Sequence, residues 1–150
     1  MPEFKNEINS IEREFNMPPE SEVAGETNFD DVDLSVLFDF EAAQCEGEPD
    51  LIVELIDLYL ADFPQQLSAI KDSILKNDEA SLKRSAHNLK GSSATLGVIS
   101  IARLCEKLEQ VDFTRSLQKT SAYVNHLEQA FARVRRIFLD ERQNRACAAN

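Results

Sequence analysis

The chain has 150 residues, 27 of them acidic and 16 basic, and a formal net charge of −11 at pH 7. That acidity excludes a sequence-independent nucleic-acid binder, which neutralises phosphates with Lys and Arg, and excludes docking on an anionic membrane leaflet. No apolar run approaches the roughly 18 residues of a membrane span, and the acidic, polar N-terminus does not read as a signal or transit peptide.

The charge is unevenly spread. Residues 1–33 hold ten acids and two bases, residues 34–82 eleven acids and two bases, and residues 83–150 six acids and twelve bases. The last stretch is therefore basic. Cys45, Cys105 and Cys147 are scattered without metal-ligand spacing. They fit a reducing, cytoplasmic setting, with no disulfide framework expected. His87 and His126 are the two histidines, so no metal site or cofactor is expected on this chain.

Residues 1–32 read as an acidic, disordered tail with Pro18-Pro19 and Gly25. Its sparse apolar residues (Phe4, Ile8, Ile11, Phe15) allow at most a nascent helix over 3–15. Asp33-Leu34-Ser35 reads as a cap into a short helix carrying Val36, Leu37 and Phe40. A loop follows at 46–50, with Asp50 as the next N-cap. Ile52, Ile56, Tyr59, Phe63, Leu67, Ile70 and Ile74 then recur at helical spacing, and Pro64 is expected to kink or split that helix. Asn77-Asp78-Glu79 starts a helix whose stripe is Leu82, Ala86, Leu89, Ser93 and Leu96, with Gly97 as its C-terminal cap. Ile101, Leu104, Leu108 and Val111 form a third stripe. After a turn near Asp112-Phe113, Val124, Leu127, Phe131, Val134 and Phe138 form a fourth. Strand signals are absent. The pattern predicts an all-α fold: an antiparallel four-helix bundle over 33–141 with a short capping N-terminal helix. The polar residues 142–150 are expected to fray.

The chemically informative segment is Arg84-Ser85-Ala86-His87-Asn88-Leu89-Lys90-Gly91-Ser92-Ser93. With Leu82 at zero on a helical wheel, His87 lies at about 140°, Lys90 at about 80°, Gly91 at about 180° and Arg84 at about 200°. His87 is therefore off the core stripe, with Lys90 and Gly91 one turn on and Arg84 one turn back. A glycine inside a helix costs roughly 1 kcal/mol relative to alanine. Its use at i+4 from an exposed imidazole clears space over the ring for a partner's bulky group. A neutral imidazole can attack phosphorus through a ring nitrogen, and Lys90 and Arg84 could pair with the resulting anion. A lone surface histidine is ordinarily a solvated side chain. His126, on the last helix, has no such neighbours and is read that way.

The run His87-Asn88-Leu89-Lys90-Gly91-Ser92-Ser93 resembles the H-x-x-K-G-S-S signature of histidine-containing phosphotransfer (HPt) domains. Pro49-Asp50-Leu51, Phe63-Pro64, Ala94-Thr95-Leu96-Gly97 and Leu104-Cys105-Glu106-Lys107-Leu108-Glu109 resemble the same family in the same order, over about residues 33–140. The resemblance implies a four-helix bundle that shuttles a phosphoryl group between receiver-domain aspartates of a two-component phosphorelay. Carried over by position, His87 is the phosphoacceptor, Lys90 the phosphate-stabilising cation, Gly91 the access residue and Ser92 a polar neighbour. Where some members place a glutamine against the ring nitrogen that does not react, this chain has Glu109. A carboxylate there could accept from Nδ1–H and leave Nε2 free to attack, at the cost of favouring the imidazolium. Lys83, Arg84, Ala94, Val98 and Arg103 are expected to contact the receiver.

No Gly-rich phosphate loop or nucleotide motif suggests that the chain phosphorylates itself, so it reads as a stoichiometric carrier, monomeric and cytoplasmic. Expected partners are receiver domains, which would carry the Mg²⁺, and a hybrid sensor histidine kinase. Two rivals stand beside this reading. One is direct phosphorylation by a kinase catalytic domain. The other is a helical interaction module whose histidine is silent.

Overall fold

The computed structural model describes residues 31–149. Residues 1–30 of the tail expected over 1–32 lie outside them. Every described segment of regular structure is helical. Helix α1 (Leu34–Phe38) starts at Asp33, whose carboxylate accepts from Ser35 N at 3.0 Å, and runs into a 3-10 helix over Asp39–Ala43. Gln44 then ties the 45–50 loop to the start of the second helix. Its amide nitrogen donates to the Pro49 carbonyl at 2.9 Å and its oxygen accepts from Leu51 N at 2.6 Å.

Four long helices make up the rest of the described residues: α2 (Leu51–Leu75), α3 (Glu79–Thr95), α4 (Ile99–Gln110) and α5 (Leu117–Ala149). Asp50 and Asp78 cap α2 and α3, accepting from Ile52 N at 2.9 Å and Ser81 N at 3.1 Å. Each satisfies a backbone donor that the helix cannot. Both helices end in the same bonding pattern. Asp78 N and Asn77 N reach back to the Ser73 and Ile74 carbonyls, and Val98 N and Gly97 N to those of Ser93 and Ala94. Asn77 and Gly97 take the positive φ this closure requires, +57° and +77°.

The helices pack in a ring, α2 on α3, α3 on α4, α4 on α5, and α5 back on α2. Short connections make sequential neighbours antiparallel. The closing pair is antiparallel too, because residue numbers run oppositely along its ion pairs: Asp50 with Arg145, Asp57 with Arg142, Lys71 with Glu128. The protein is thus an antiparallel four-helix bundle with a short N-terminal cap, as the stripes predicted. Ile52, Ile56, Phe63, Leu82, Leu89, Ile101, Leu108, Leu127 and Phe138 are fully buried at its axis. Phe63 stacks on Phe131 with centroids 3.9 Å apart. Ser93, a polar residue on an apolar stripe, is satisfied inside the core by the Tyr59 hydroxyl at 2.7 Å. Burial raises the Tyr59 pKa and keeps that hydroxyl protonated.

Three expectations are corrected. Pro64 does not split α2, which runs unbroken from Leu51 to Leu75. Pro64 sits on the exposed face, and packing on either side of it offsets the loss of one backbone bond. The domain begins before residue 33: Val32 is buried, and Asp31, only 2% exposed, is held by the Arg133 guanidinium at 2.8 and 3.0 Å. Residues 142–149 do not fray but continue α5. The reason is Arg145, which binds Asp50 at 2.8 Å, Glu41 at 3.0 Å and Glu141 at 3.2 Å, and lies over the Phe38 ring at 6.0 Å.

Arg145 thus fastens the last turns of α5 to the start of α2. Arg145→Met is expected to cost about 2 kcal/mol in urea unfolding, the scale of hydrogen bonds to charged groups. Burial works to raise the Asp50 pKa, but the Arg145 hydrogen bond and the Val53 and Ile52 amides outweigh it, so the net shift is downward from 3.8. A carboxylate with a lowered folded pKa contributes fully above its unfolded value and loses that contribution as pH falls through the folded one. Wild-type stability should therefore fall more steeply below about pH 4 than that of Arg145→Met. Parallel acid-side slopes for the two proteins would refute the coupling.

Candidate functional site

His87 sits midway along α3 with its side chain 67% exposed, in keeping with its place off the core stripe. The α3–α4 hairpin turns at Gly97 and brings Glu109 of α4 alongside it. His87 Nδ1 lies 3.0 Å from Glu109 Oε2, and Lys90 Nζ lies 2.7 Å from Glu109 Oε1. One carboxylate, itself 22% exposed, therefore holds both the imidazole and the lysine. Burial pushes the Glu109 pKa up, but Lys90 and then His87 pull it down further, so the net shift is below the usual 4.5 and the group is anionic at neutral pH. The Lys90 ammonium is correspondingly raised, chiefly by Glu109. With Nδ1 facing a carboxylate, the ring proton belongs on Nδ1, and Nε2 is the nitrogen with an available lone pair.

Gly91 lies one turn beyond His87, and a Cβ built there would meet nothing within 4 Å. Its φ is not in the positive region. Neither the backbone nor neighbouring atoms require glycine at this position. What its missing side chain leaves is open space beside the imidazole. Its carbonyl accepts from the Thr95 hydroxyl at 2.8 Å. Ser92 is half-buried and donates from Oγ to the Leu89 carbonyl at 3.2 Å.

Among the residues expected to meet a partner, Arg84 and Ala94 are exposed on α3 and Arg103 is exposed on α4. Lys83 is half-buried and paired with Glu79 at 3.3 Å. Val98 is a correction. It is fully buried as the N-cap of α4, directed inward by the chain reversal at Gly97, and presents no outer surface. Behind Glu109 lies Cys105, whose pKa is pushed up to about 12 by burial and then by Glu109. It is a protonated thiol and no rival nucleophile. Among the described residues no cluster of His, Cys, Asp or Glu is placed to hold a metal, and no helix is long and apolar enough to cross a membrane.

Sequence reasoning paired Glu109 with His87 alone and missed its second bond, to Lys90. The available signal was the hairpin itself. Residues at similar distances on either side of Gly97 lie side by side, and His87 and Lys90 share the flank of α3 that faces α4.

An exposed imidazole with one nitrogen held and the other clear, on one helix of a four-helix bundle, defines a class of protein. The model of the Hpt domain family matches residues 54–137, and the chain belongs to that family. Two relatives illustrate it. The phosphorelay intermediate protein rdeA of Dictyostelium discoideum is 26% identical over 124 residues, which are 83% of this chain and 47% of that protein. The chain therefore spans about half the length of this curated relative. The crystal structure of histidine-containing phosphotransfer protein B (HptB) from Pseudomonas aeruginosa PAO1 superposes with a TM-score of 0.67 at 28% identity, covering 75% of this chain and 95% of that one.

Proposed function

We propose that the chain is a phosphorelay carrier in two-component signalling, with His87 as the phosphoacceptor. The reading is supported above all by the joint geometry of His87, Glu109 and Gly91: Nδ1 held at 3.0 Å, with open space one turn on. In the forward step the Nε2 lone pair attacks the phosphorus of a receiver's aspartyl phosphate. The N–P bond forms as the P–O bond to the aspartate breaks, and the electron pair leaves with that carboxylate. Nδ1–H stays directed at Glu109, which offsets the positive charge the ring gains. In the return step an aspartate oxygen attacks phosphorus and the N–P electron pair goes back to Nε2. Glu109 is thus a positioning residue. Lys90 turns part of its charge from Glu109 to the phosphoryl oxygens, and Gly91 admits the partner. Ser92 lies close by, and Arg84, Ala94, Arg103 and Lys83 form the adjoining surface.

In this reading the chain supplies no ATP chemistry and no metal of its own, and Mg²⁺ belongs to the receiver. It acts as a cytoplasmic monomer between receiver domains, one of them on a hybrid sensor histidine kinase. The test mixes the full chain with a phosphorylated receiver. Acid-labile, base-stable phosphate on the chain is expected. No label, or an acid-stable one, would overturn the proposal.

Gly91→Ala separates access from folding. It should raise stability by about 1 kcal/mol, since alanine is the better helix residue and nothing obstructs its methyl. For a domain of this size that is roughly 4 °C in melting temperature. Transfer should slow several-fold, and Gly91→Gln should nearly block it. Equal transfer rates for all three proteins would refute the access role.

A further inference from the structure

With Val98 buried, Ala94 is the one exposed apolar side chain left among the residues expected to meet a partner. A methyl gives a docking protein little apolar area. The neighbouring helix holds a larger group. Leu58 of α2 is 67% exposed. On a helical wheel it falls about 120° to one side of the buried stripe Ile52, Ile56, Tyr59, Phe63 and Ile70. Asp50, Asp57 and Lys71, which meet α5, fall on the other side. Leu58 therefore lies on the flank toward α3. The Tyr59–Ser93 bond at 2.7 Å sets the register of the two helices, so Leu58 is level with Ala94 and Thr95, about 10 Å along α3 from His87. Building on the carrier function above, we propose that Leu58 is the apolar anchor of the surface on which a receiver domain docks to reach His87.

Three observations favour this occupant. The first is continuity with the phosphoacceptor face. A partner must enter over Gly91, where space is open. Even a transient interface covers roughly 600 Å² per partner, a disc about 28 Å across. Centred on Gly91, such a disc takes in His87, one turn back, and Leu58, one helix spacing of about 8–10 Å to the side. The second is how readily the ground between them gives up water. Thr95 donates its hydroxyl to the Gly91 carbonyl at 2.8 Å and Ser92 donates to the Leu89 carbonyl at 3.2 Å. Gly91 and Ala94 add no polar side-chain atom. A covering partner thus leaves no hydroxyl of this strip without an acceptor, and desolvation costs little. The third is placement. Five large apolar side chains are exposed among the described residues: Phe38, Leu58, Leu75, Leu117 and Leu139. Phe38 lies under Arg145, Leu75 and Leu117 sit where α2 ends and α5 begins, at the far end of the bundle from the Gly97 turn, and Leu139 is on α5. Leu58 is the one that adjoins α3.

The test uses the full chain and a panel of phosphorylated receivers, and follows initial transfer rate against concentration for the receiver that labels wild type fastest. Leu58→Glu should raise the half-saturating receiver concentration at least about tenfold and leave the rate at saturation within about twofold, the signature of lost docking rather than lost chemistry. Leu58→Met should stay close to wild type. Phosphoramidate, a small donor that needs no docking surface, should label His87 equally fast in wild type and Leu58→Glu. Leu75→Glu, at the far end of the bundle, should transfer normally. Leu58→Glu matching wild type at every concentration, slower labelling of it by phosphoramidate, or equal impairment of Leu75→Glu would each overturn the docking role and leave the carrier function standing. A wild-type chain that phosphoramidate labels but no receiver does would overturn both. A wild-type dimer in sedimentation that Leu58→Glu dissociates, with transfer unchanged, would overturn the docking role in favour of a second copy as the occupant.

Discussion

His87→Gln is expected to accept no measurable phosphate from a phosphorylated receiver, a loss of at least about a thousandfold, the scale for removing a nucleophile. It should melt within about 0.5 kcal/mol of wild type, as exposed substitutions do. The two outcomes have separate origins. The imidazole is mostly solvent-exposed and buries nothing of the core. The glutamine amide can still donate toward Glu109, which keeps Lys90 as its ionic partner. Chemistry is lost because an amide nitrogen has no available lone pair. Acid-labile phosphate persisting on the variant would move the acceptor elsewhere. A large drop in melting temperature would mean that His87 is structural.

Gly97→Ala is expected to be the most damaging small substitution, at about 3 kcal/mol. The backbone there has φ +77°, which costs an L-residue about 1–2 kcal/mol. The added methyl would also collide with the carbonyl oxygen of Asp33 and come within 2.9 Å of Val36 Cβ. A collision with backbone cannot be relieved by a rotamer change, and overpacking of this kind costs a further 1–3 kcal/mol or so. The same contact carries the bond from Asp33 N to the Gly97 carbonyl at 2.8 Å, which seats the capping segment on the α3–α4 turn. Urea unfolding measures the loss, and hydrogen exchange should find α1 released before the bundle opens. Stability equal to wild type would refute this account of the turn. The contrast with Gly91→Ala is instructive: two glycines six residues apart are expected to respond with opposite signs.

The four apolar stripes were legible because a helical period needs only neighbours in sequence. The caps at Asp33, Asp50 and Asp78 and the glycine at Gly97 were legible because each acts within a few residues of itself. The histidine face was legible for the same reason, since Lys90 and Gly91 lie within one turn of His87. What escaped depends on contacts far apart in the chain. Val98 looked like a surface residue because nothing local records that the Gly97 turn points it inward. Residues 142–149 looked ready to fray because their polarity is local, whereas the carboxylates of Glu41 and Asp50 that hold Arg145 lie about a hundred residues earlier. Asp31 was assigned to the tail because acidity suggested solvent, and its guanidinium partner sits 102 positions away. The continuity of α2 through Pro64 was hidden as well, because the cost of a lost backbone bond is local and the packing that offsets it is not.

The shared carboxylate has a consequence for how long a phosphoryl group would stay. At rest the Lys90 and Glu109 charges offset one another beside His87. On the proposed function, the arriving group adds a charge of roughly −1.5 to −2, and the nearest cation is already shared with an anion. The loaded site is therefore under-neutralised, with Glu109 itself repelling the cargo. A phosphoryl group held this loosely has a high transfer potential and is readily surrendered to the next aspartate. A lysine without a competing carboxylate would make the same histidine a reservoir. On this proposal Glu109 would make it a way station.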